Sequence, residues 1–285
     1  MNDLTQKRGY LLESFRLFHL WDIPKEKVEY HYHEFYKLLF VLSGTGGYWI
    51  NGERYQLETG DMVLIDRHLL HRPEFDREYE RAIIYISPEL LTAASAGDCD
   101  LTACFMAEGQ RILRLPAGER RRFVGLIRRL EEELASGELG KDIVARGLLL
   151  RLLVELCRVA ARGGAAAVQP MRPKDERVAE MLRYIDGHIN EDVTAEMLAE
   201  RFFLSKYHLM RIFRENTGVT IHAYVVDRRL LNARELMARG VSATEACYKA
   251  GFNSYCTFCR VYNQRFGTSP AGRRDKRLPA EETYE

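Results

Sequence analysis

Short runs of apolar residues, separated by turn residues, fill the first third of the chain. Between residues 10 and 90, stretches rich in Phe, Tyr, Ile and Val alternate with turns that contain Gly, Asn or Asp. Asn51-Gly52 lies between the runs GGYWI and ERYQL and predicts a two-residue hairpin turn, because both central positions of that turn need a positive φ. Several strands at roughly ten-residue spacing predict a small β-barrel or sandwich.

The spacing of the apolar residues changes after Pro116 and becomes helical. The pattern predicts one helix over residues 117–135 and another over residues 141–162. One face of the first helix carries Phe123, Ile127, Leu130 and Leu134. The wide apolar stripe of the second carries Ile143, Leu148, Leu149, Leu152, Leu153, Leu156 and Val159. So much apolar surface could pack on the barrel, on the other helix or on a second copy of the chain.

A segment of the helical C-terminal region repeats itself 49 residues further on. The first copy runs from Ser205 to Gly218 and the second from Ser254 to Gly267. Each starts with Ser, which favours a helix N-cap, and ends with Gly, which favours a helix C-terminus. An apolar residue, an Arg and an aromatic residue coincide between these ends. Each copy follows a shorter helical segment, so the sequence predicts two helix-turn-helix units joined by a helix over residues 221–239.

Charge is unevenly distributed along the chain. The total is +1, from 42 basic and 41 acidic residues. Residues 201–285 carry 15 Lys and Arg against 8 Asp and Glu, whereas residues 1–200 carry 27 against 33. A basic block joined to a mildly acidic body predicts a polyanion-binding region. Arg on the outward face of a helix fits the major groove of DNA, where it can make two parallel hydrogen bonds to guanine.

The repeat and its surroundings resemble the AraC/XylS family of transcription regulators over residues 176–275. The segment GFNSYCTFCRVYNQRFGTSPAGRR is similar to the family signature, although Phe202 stands where a smaller turn residue is common. The resemblance implies seven helices that carry two recognition helices into successive major-groove segments of double-stranded DNA. By the family's pattern, the base-reading positions are Tyr207, Met210, Arg211, Tyr255, Cys256 and Arg260. Phosphate contacts are expected from Ser205, Lys206, Arg214, Arg228, Arg229, Ser254, Arg273 and Arg274.

Three histidines in the strand region indicate a second site. His31 and His33 lie on one side of a strand because side chains alternate, and the surrounding segments resemble the two motifs of cupin barrels, in which His71 also matches. Lys37 occupies the usual Glu position, and its ammonium would oppose a bound metal ion. Many AraC-type regulators carry such a barrel as effector domain, so the resemblance implies a small-molecule pocket. The expected pocket residues are His31, His33, Tyr36, Trp49, His71 and Tyr85.

Other interpretations of these residues stay open. His31, His33 and His71 could hold a divalent metal in a cupin enzyme, or they could be structural residues of a barrel without an effector. Cys256 and Cys259 have the spacing of a redox or zinc pair, but no second pair with finger spacing follows. A composition of 46% hydrophobic and 29% charged residues excludes a collagen-like, wholly disordered or small disulfide-rich chain.

The sequence therefore predicts a multidomain, non-enzymatic transcription regulator without a cofactor. An N-terminal all-β cupin-like barrel with a helical hairpin precedes a C-terminal all-α double helix-turn-helix. The predicted segments are the barrel (1–115), a dimerising hairpin (116–162), a linker (163–175), the DNA-binding domain (176–275) and a tail (276–285). Expected partners are double-stranded DNA, a small-molecule effector such as a sugar or another small metabolite, and a second copy of the chain; RNA polymerase is a further candidate. Charges near the N-terminus and the absence of a long apolar run predict a cytoplasmic location and no membrane contact.

Overall fold

Contacts within the chain divide it into two units, Met1–Lys174 and Asp175–Glu285. The structure, a computed structural model, describes residues 11, 13–22, 28, 30–67, 69–74, 78–106, 111–171 and 176–270. The described strands are β1 (Phe15–Asp22), β2 (Tyr36–Ser43), β3 (Gly46–Ile50), β4 (Glu53–Leu57), β5 (Asp61–Ile65), β6 (His71–Glu74), β7 (Tyr79–Ile86), β8 (Ile112–Arg114) and β9 (Ala166–Ala167). The helices of the first unit are α1 (Pro88–Ala94), α2 (Ala103–Met106), α3 (Ala117–Ala135) and α4 (Lys141–Ala161). Those of the second unit are α5 (Glu176–Gly187), α6 (Ala195–Arg201), α7 (Lys206–Thr217), α8 (Ile221–Ala238), α9 (Ala243–Lys249) and α10 (Tyr255–Phe266).

The strands form two antiparallel sheets, which we call the barrel. One sheet has the order β1-β7-β2-β5-β8-β9 and the other the order β4-β3-β6. Leu39 and Val41 of β2 lie between the sheets, in a buried cluster with Tyr48 of β3. The alternate residues Leu38 and Phe40 belong to a second cluster, which includes residues of the helices. Strand β2 is buried on both faces, and this accounts for an apolar run that only Lys37 interrupts before Ser43.

The hairpin turn between β3 and β4 confirms the sequence prediction. Asn51 and Gly52 have φ angles of 47° and 80°, and Ile50 pairs with Glu53 across the turn. Asn and Gly tolerate these left-handed angles better than other residues, so this dipeptide fixes the register of the two strands.

Helices α3 and α4 pack against each other and against the outer face of the six-stranded sheet. Phe123 of α3 and Leu149 of α4 are fully buried in the same cluster as Leu38. Ile143, the first residue of the apolar stripe predicted for α4, is 78% exposed. It lies about 200° around the helix from the buried Ala145, because successive residues are about 100° apart. The tip of this hairpin thus presents apolar side chains to solvent.

The second part of the predicted linker is attached to the barrel. Residues Ala166–Ala167 form strand β9 on the edge of β8, and the backbone N–H of Val168 donates to the backbone oxygen of Ile112 at 2.9 Å. The backbone N–H of Met171 donates to the backbone oxygen of Arg54 at 2.7 Å. The described part of the predicted linker, residues 163–171, is therefore held on the barrel at Ala166–Ala167, Val168 and Met171. The edge of a sheet carries unpaired N–H and C=O groups, and this passing segment satisfies those of β8.

The second unit contains two helix-turn-helix pairs, α6–α7 and α9–α10, connected by α8. The Oγ atoms of Ser205 and Ser254 accept hydrogen bonds at 3.3 Å from the backbone N–H groups of His208 and Thr257. Helices α7 and α10 end at Gly218 and Gly267, both in the left-handed conformation. The caps predicted from the repeat are confirmed at both ends of both helices. Because these four residues fix where each helix starts and stops, they also fix which side chains face outward.

The turns inside the two helix-turn-helix pairs differ. Phe203 has a φ of 54° and is 95% exposed. Counted from the first helix of each pair, its equivalent is Gly251, with a φ of 90°, which lies 48 rather than 49 positions further on because the second turn is one residue longer. The left-handed residue is thus Phe203 rather than Phe202, the residue that the sequence singled out. A bulky side chain is strained in this region because its Cβ crowds the following carbonyl.

We expect Phe203→Gly to raise the free energy of unfolding by about 0.5–1 kcal/mol, because it relieves this strain without removing buried surface. Gly251→Ala should lower it, because an added Cβ would lie 3.0 Å from both Asn190 Cα and Ile189 O. Urea unfolding of the two variants beside the parent measures both effects. A Phe203→Gly variant no more stable than the parent would contradict the strain assignment.

Candidate DNA-binding surface and effector site

Helix α7 has one buried face and one exposed face. Leu209 and Phe213 are fully buried against the rest of the unit. On the opposite side, Tyr207 is 80% exposed and Met210 45% exposed, and the guanidinium of Arg211 contacts the Glu215 carboxylate at 3.3 Å. The guanidinium also lies 3.1 Å from Nδ1 of His208. Exposed pairs four residues apart on a helix contribute about 0.3–0.5 kcal/mol, so Arg211 can exchange Glu215 for another acceptor at little cost. Arg214 is also exposed on this helix.

Helix α10 repeats this arrangement with smaller side chains. Phe258 is fully buried, whereas Cys256 and Arg260 are exposed. Tyr255 is half-buried, with its ring centroid 5.9 Å from that of Phe258. Of the three base-reading candidates in this helix, the structure exposes two and packs the third partly against the core.

The phosphate candidates fall into three groups. Ser205, Ser254 and Arg214 are exposed, and Lys206, also exposed, pairs with Glu196 of α6.

Two phosphate candidates on α8 have partners inside the unit. The guanidinium of Arg228 donates to the Asp186 carboxylate at 2.8 Å, and that of Arg229 donates to the backbone oxygen of Ile189 at 2.9 Å. Both arginines tie α8 to α5 and the loop after it. Arg273 and Arg274 lie outside the described residues.

Four of the six expected effector residues meet inside the barrel. The ring centroid of His71 lies 4.3 Å from that of His31 and 4.8 Å from that of His33. The ring of Tyr85 lies 6.1 Å from that of His33. His71 donates from Nδ1 to the backbone oxygen of Leu69 at 2.8 Å, so that its Nε2 is the unprotonated acceptor. The predicted grouping of the three histidines with Tyr85 therefore corresponds to a cluster in space.

Tyr36 and Trp49 do not join this cluster. Tyr36 packs in the cluster on the helix side of the sheet, 4.9 Å from Phe105 between ring centroids. Trp49 donates from Nε1 to the Glu74 carboxylate at 2.7 Å. Side chains alternate along a strand, so their neighbours Lys37 and Tyr48 occupy the opposite face. One feature of the sequence could have shown which face of β2 points into the barrel, namely the lysine inside an otherwise apolar run.

Lys37 lies next to the histidines and is completely buried. Its Nζ is 3.5 Å from Nε2 of His71 and 5.8 Å from the centroid of the Tyr48 ring. Burial and the guanidinium charge of Arg81 lower the pKa of Lys37 from 10.5 to about 7. Burial, His31 and Lys37 hold the pKa of His71 well below its usual value, so this imidazole stays neutral. Near neutral pH the Lys37 amine is therefore partly protonated beside a neutral His71 imidazole.

A metal site has little support in this cluster. Among the described residues, no group of three or more His, Cys, Asp or Glu side chains is placed to hold a metal ion. The Lys37 amine already contacts the Nε2 atom through which His71 would bind a metal.

Comparison with known proteins assigns both units. The model of the AraC-like ligand binding domain matches residues 17–153, and that of a helix-turn-helix domain matches residues 198–276. The HTH-type transcriptional activator RhaS from Salmonella arizonae is 26% identical over 255 residues, which are 87% of this chain and 88% of RhaS. This chain belongs to the AraC family of transcription regulators. The family resemblance stated from the repeat and the barrel motifs is confirmed.

Two solved structures were also compared with this AraC-family regulator. ToxT from Vibrio cholerae O395, bound to (E)-4-(8-methylnaphthalen-1-yl)but-3-enoic acid, is 13% identical with a TM-score of 0.37 over 91% of this chain and 97% of ToxT. The DNA-binding domain of AdpA, a global transcriptional factor in complex with a target DNA, is 29% identical with a TM-score of 0.32 over 33% of this chain and 85% of that domain.

The family assignment gives each unit its role. The first unit contains the ligand-binding domain of an AraC-type regulator, and the second contains its DNA-binding helix-turn-helix region. The predicted fold class, a sheet-rich cupin-like domain followed by a helical one, is confirmed. The histidine cluster lies within the matched ligand-binding domain, and helices α7 and α10 lie within the matched helix-turn-helix domain. No helix in the described ranges is long and apolar enough to cross a membrane.

The buried amine of this AraC-family regulator makes its stability depend on pH. Between a folded pKa of about 7 and the ordinary value of 10.5, Lys37 holds its proton in the unfolded chain more than in the folded one. The free energy of unfolding should therefore rise with pH across this window. Lys37→Met should be more stable than the parent at and below pH about 7, and this gain should shrink as the pH rises.

Urea unfolding of the parent and of Lys37→Met at several pH values checks this expectation. Lys249→Met, which removes an exposed lysine paired with Glu245 in the other unit, is the control and should follow the parent. A gain in Lys37→Met that does not change with pH would contradict the burial of a titrating amine.

Proposed function

We propose that this regulator reads a promoter with the exposed faces of α7 and α10, and that a small molecule inside the barrel changes this reading. One observation carries the DNA part of the proposal. Two helices with the same Ser and Gly caps each bury one apolar face and expose an arginine at the same position, Arg211 and Arg260. Such a helix fits the major groove, where arginine distinguishes guanine from other bases.

The proposed base-reading residues make different kinds of contact. Arg211 and Arg260 supply two parallel hydrogen bonds each, and the apolar parts of Tyr207 and Met210 suit contacts with thymine methyl groups. Cys256 is small and exposed on the same face as Arg260. Tyr255 is half-buried against Phe258 and is assigned to supporting the helix as well as to the groove.

The phosphate contacts are proposed for the exposed candidates. Ser205 and Ser254 accept from backbone N–H groups through their oxygens, and each hydroxyl can also donate its hydrogen to a phosphate oxygen. Arg214, Lys206, Arg273 and Arg274 complete this proposed set. Arg228 and Arg229 have structural partners within the unit, which favours a role in holding α8 in place.

Arg211→Ala and Arg260→Ala should each weaken binding to the target site by about 1–3 kcal/mol and relax the preference at one base pair. The loss arises because alanine leaves one guanine edge without its two hydrogen-bond donors. Footprinting and binding titrations on a selected target at fixed salt measure it. The control is Arg129→Ala on α3, which removes an exposed arginine from the other unit.

If both recognition-helix variants protect the same bases with the affinity of the parent, the base-reading assignment is wrong. If the Arg129→Ala control loses as much affinity as they do, the effect reflects total charge rather than base contacts. The two outcomes separate a specific reader from a general polyanion binder.

We also propose that the chain forms a homodimer through α4 and the hairpin tip. The tip exposes three large apolar side chains, those of Leu139, Ile143 and Val144. Exposed apolar groups that adjoin one another mark a surface for a partner, and a second copy offers an identical complementary face. A dimer would place two reading units on one promoter.

Ile143→Glu should convert the dimer into a monomer, because it places a charge at the centre of this apolar tip. Light scattering at micromolar concentration and again at higher concentration measures the mass of parent and variant. The neighbouring exposed substitution Glu138→Gln should leave the dimer intact. A parent that is a monomer over the whole range would remove the proposal.

The remaining expectations complete the proposed function. The relatives are named as transcriptional activators, which favours RNA polymerase as a further partner. We propose that the chain has no catalytic activity of its own and works in the cytoplasm, where its DNA lies. The effector is proposed to be a small metabolite held by the cluster around His71.

A further inference from the structure

The chemistry of the barrel interior narrows the class of the effector. Lys37 lies in β2, in the middle of the six-stranded sheet, and its amine reaches across the interior to His71 of the other sheet. Among the described residues, no carboxylate forms an ion pair with it. The charge of the buried Arg81 guanidinium also acts on Lys37, and it repels the amine instead of compensating it.

Such an amine is costly to keep inside a protein without an anion. Around it lie apolar residues of the inner cluster, among them Leu39 and Ile83. An ammonium in apolar surroundings loses its hydration, and a 3.5 Å contact with a neutral imidazole compensates little of that loss. Such a destabilising group is typical of functional sites, where a bound ligand can supply the missing partner.

A second polar group points to the same ligand. The hydroxyl of Tyr48 is buried and has no hydrogen-bond partner among the described residues. The Tyr48 ring lies 5.8 Å from Nζ of Lys37, and it stacks on the His71 ring with 5.9 Å between centroids. The Tyr48 hydroxyl thus lacks an acceptor, and the neighbouring Lys37 amine has a long contact of 3.5 Å with the neutral His71 imidazole but no carboxylate partner among the described residues.

We propose, on the basis of the ligand-sensing function stated above, that the effector is a small organic monoanion. One carboxylate oxygen accepts from Lys37 Nζ and the other from Tyr48 Oη. A neutral sugar would leave the ammonium uncompensated, and a metal cation would be repelled by it. A single carboxylate matches one ammonium and one hydroxyl in both charge and number of acceptor atoms.

The test compares carboxylates with their own neutral amides on the full chain. Acetate, lactate, gluconate, galacturonate, hexanoate and benzoate are each added at about 10 mM, beside the primary amide of the same skeleton, and thermal unfolding is recorded. At least one carboxylate should raise the midpoint while its amide does not. Equal shifts with acid and amide, or no shift with any of the six acids, overturn the proposal.

Variants locate the binding of the best carboxylate. Lys37→Met should weaken its Kd by at least about tenfold, because it removes the charge-assisted hydrogen bond. Tyr48→Phe, which keeps the ring and loses only the hydroxyl, should weaken it by about threefold to tenfold. Lys249→Met, in the other unit, should bind as the parent does. Binding that is unchanged in Lys37→Met overturns the assignment of this site.

A second lysine variant guards against loss of the fold. The amide of Lys37→Gln can still donate to His71 Nε2, so this variant tests the charge where Lys37→Met does not fold. We expect Lys37→Gln, like Lys37→Met, to bind the carboxylate ligand more weakly than the parent does.

The DNA footprint of the same protein separates this proposal from the proposed function. If a neutral compound raises the unfolding midpoint and changes the footprint, the proposed ligand-sensing function is supported and the proposal of an anionic effector is wrong. If the chain binds no target DNA at all, the proposed regulatory function itself is wrong.

Discussion

Burial of the six-stranded sheet on both faces is the constraint on which the first unit depends. Alternate residues of β2 and β7 must satisfy two cores at once, the inner one between the sheets and the outer one beneath α3 and α4. Side chains cannot change face without moving the whole strand by one residue. The outer core therefore fixes which residues are left to line the barrel, and it is this register that brings Lys37 beside His71.

Local signals in the sequence predicted much of the fold. The bounds of α3, the turn at Asn51-Gly52 and the capped helices α7 and α10 agree with expectation, because each is set by residues adjacent in the chain. Strand β9 could not be predicted this way, since it exists only because the edge of β8 lies nearby. The same holds for Arg228, whose partner Asp186 is 42 positions away.

The two sites differ in how far the sequence could predict them. The proposed DNA-reading face is carried by continuous helices, so helical spacing alone separates its exposed positions from the buried ones. The barrel interior is assembled from several strands whose flanking residues are almost all apolar. In such runs the alternation that separates Lys37 from Tyr36 is hidden, and spacing could not exclude Tyr36 and Trp49 from the cluster. Only the packing of both faces determines which residues point inward.

The unequal turns of the two helix-turn-helix pairs have a consequence for how this sequence can vary. A Cβ added at Gly251 would lie 3.0 Å from backbone atoms of Asn190 and Ile189, so any side chain there crowds the backbone. Phe203 occupies the matching position but projects into solvent. Among related sequences, glycine should therefore persist at position 251, while position 203 drifts through glycine, asparagine and bulkier residues. The two halves of the repeat would then diverge fastest at the turn around Phe203, which accepts the larger range of side chains, although both recognition helices keep the same caps.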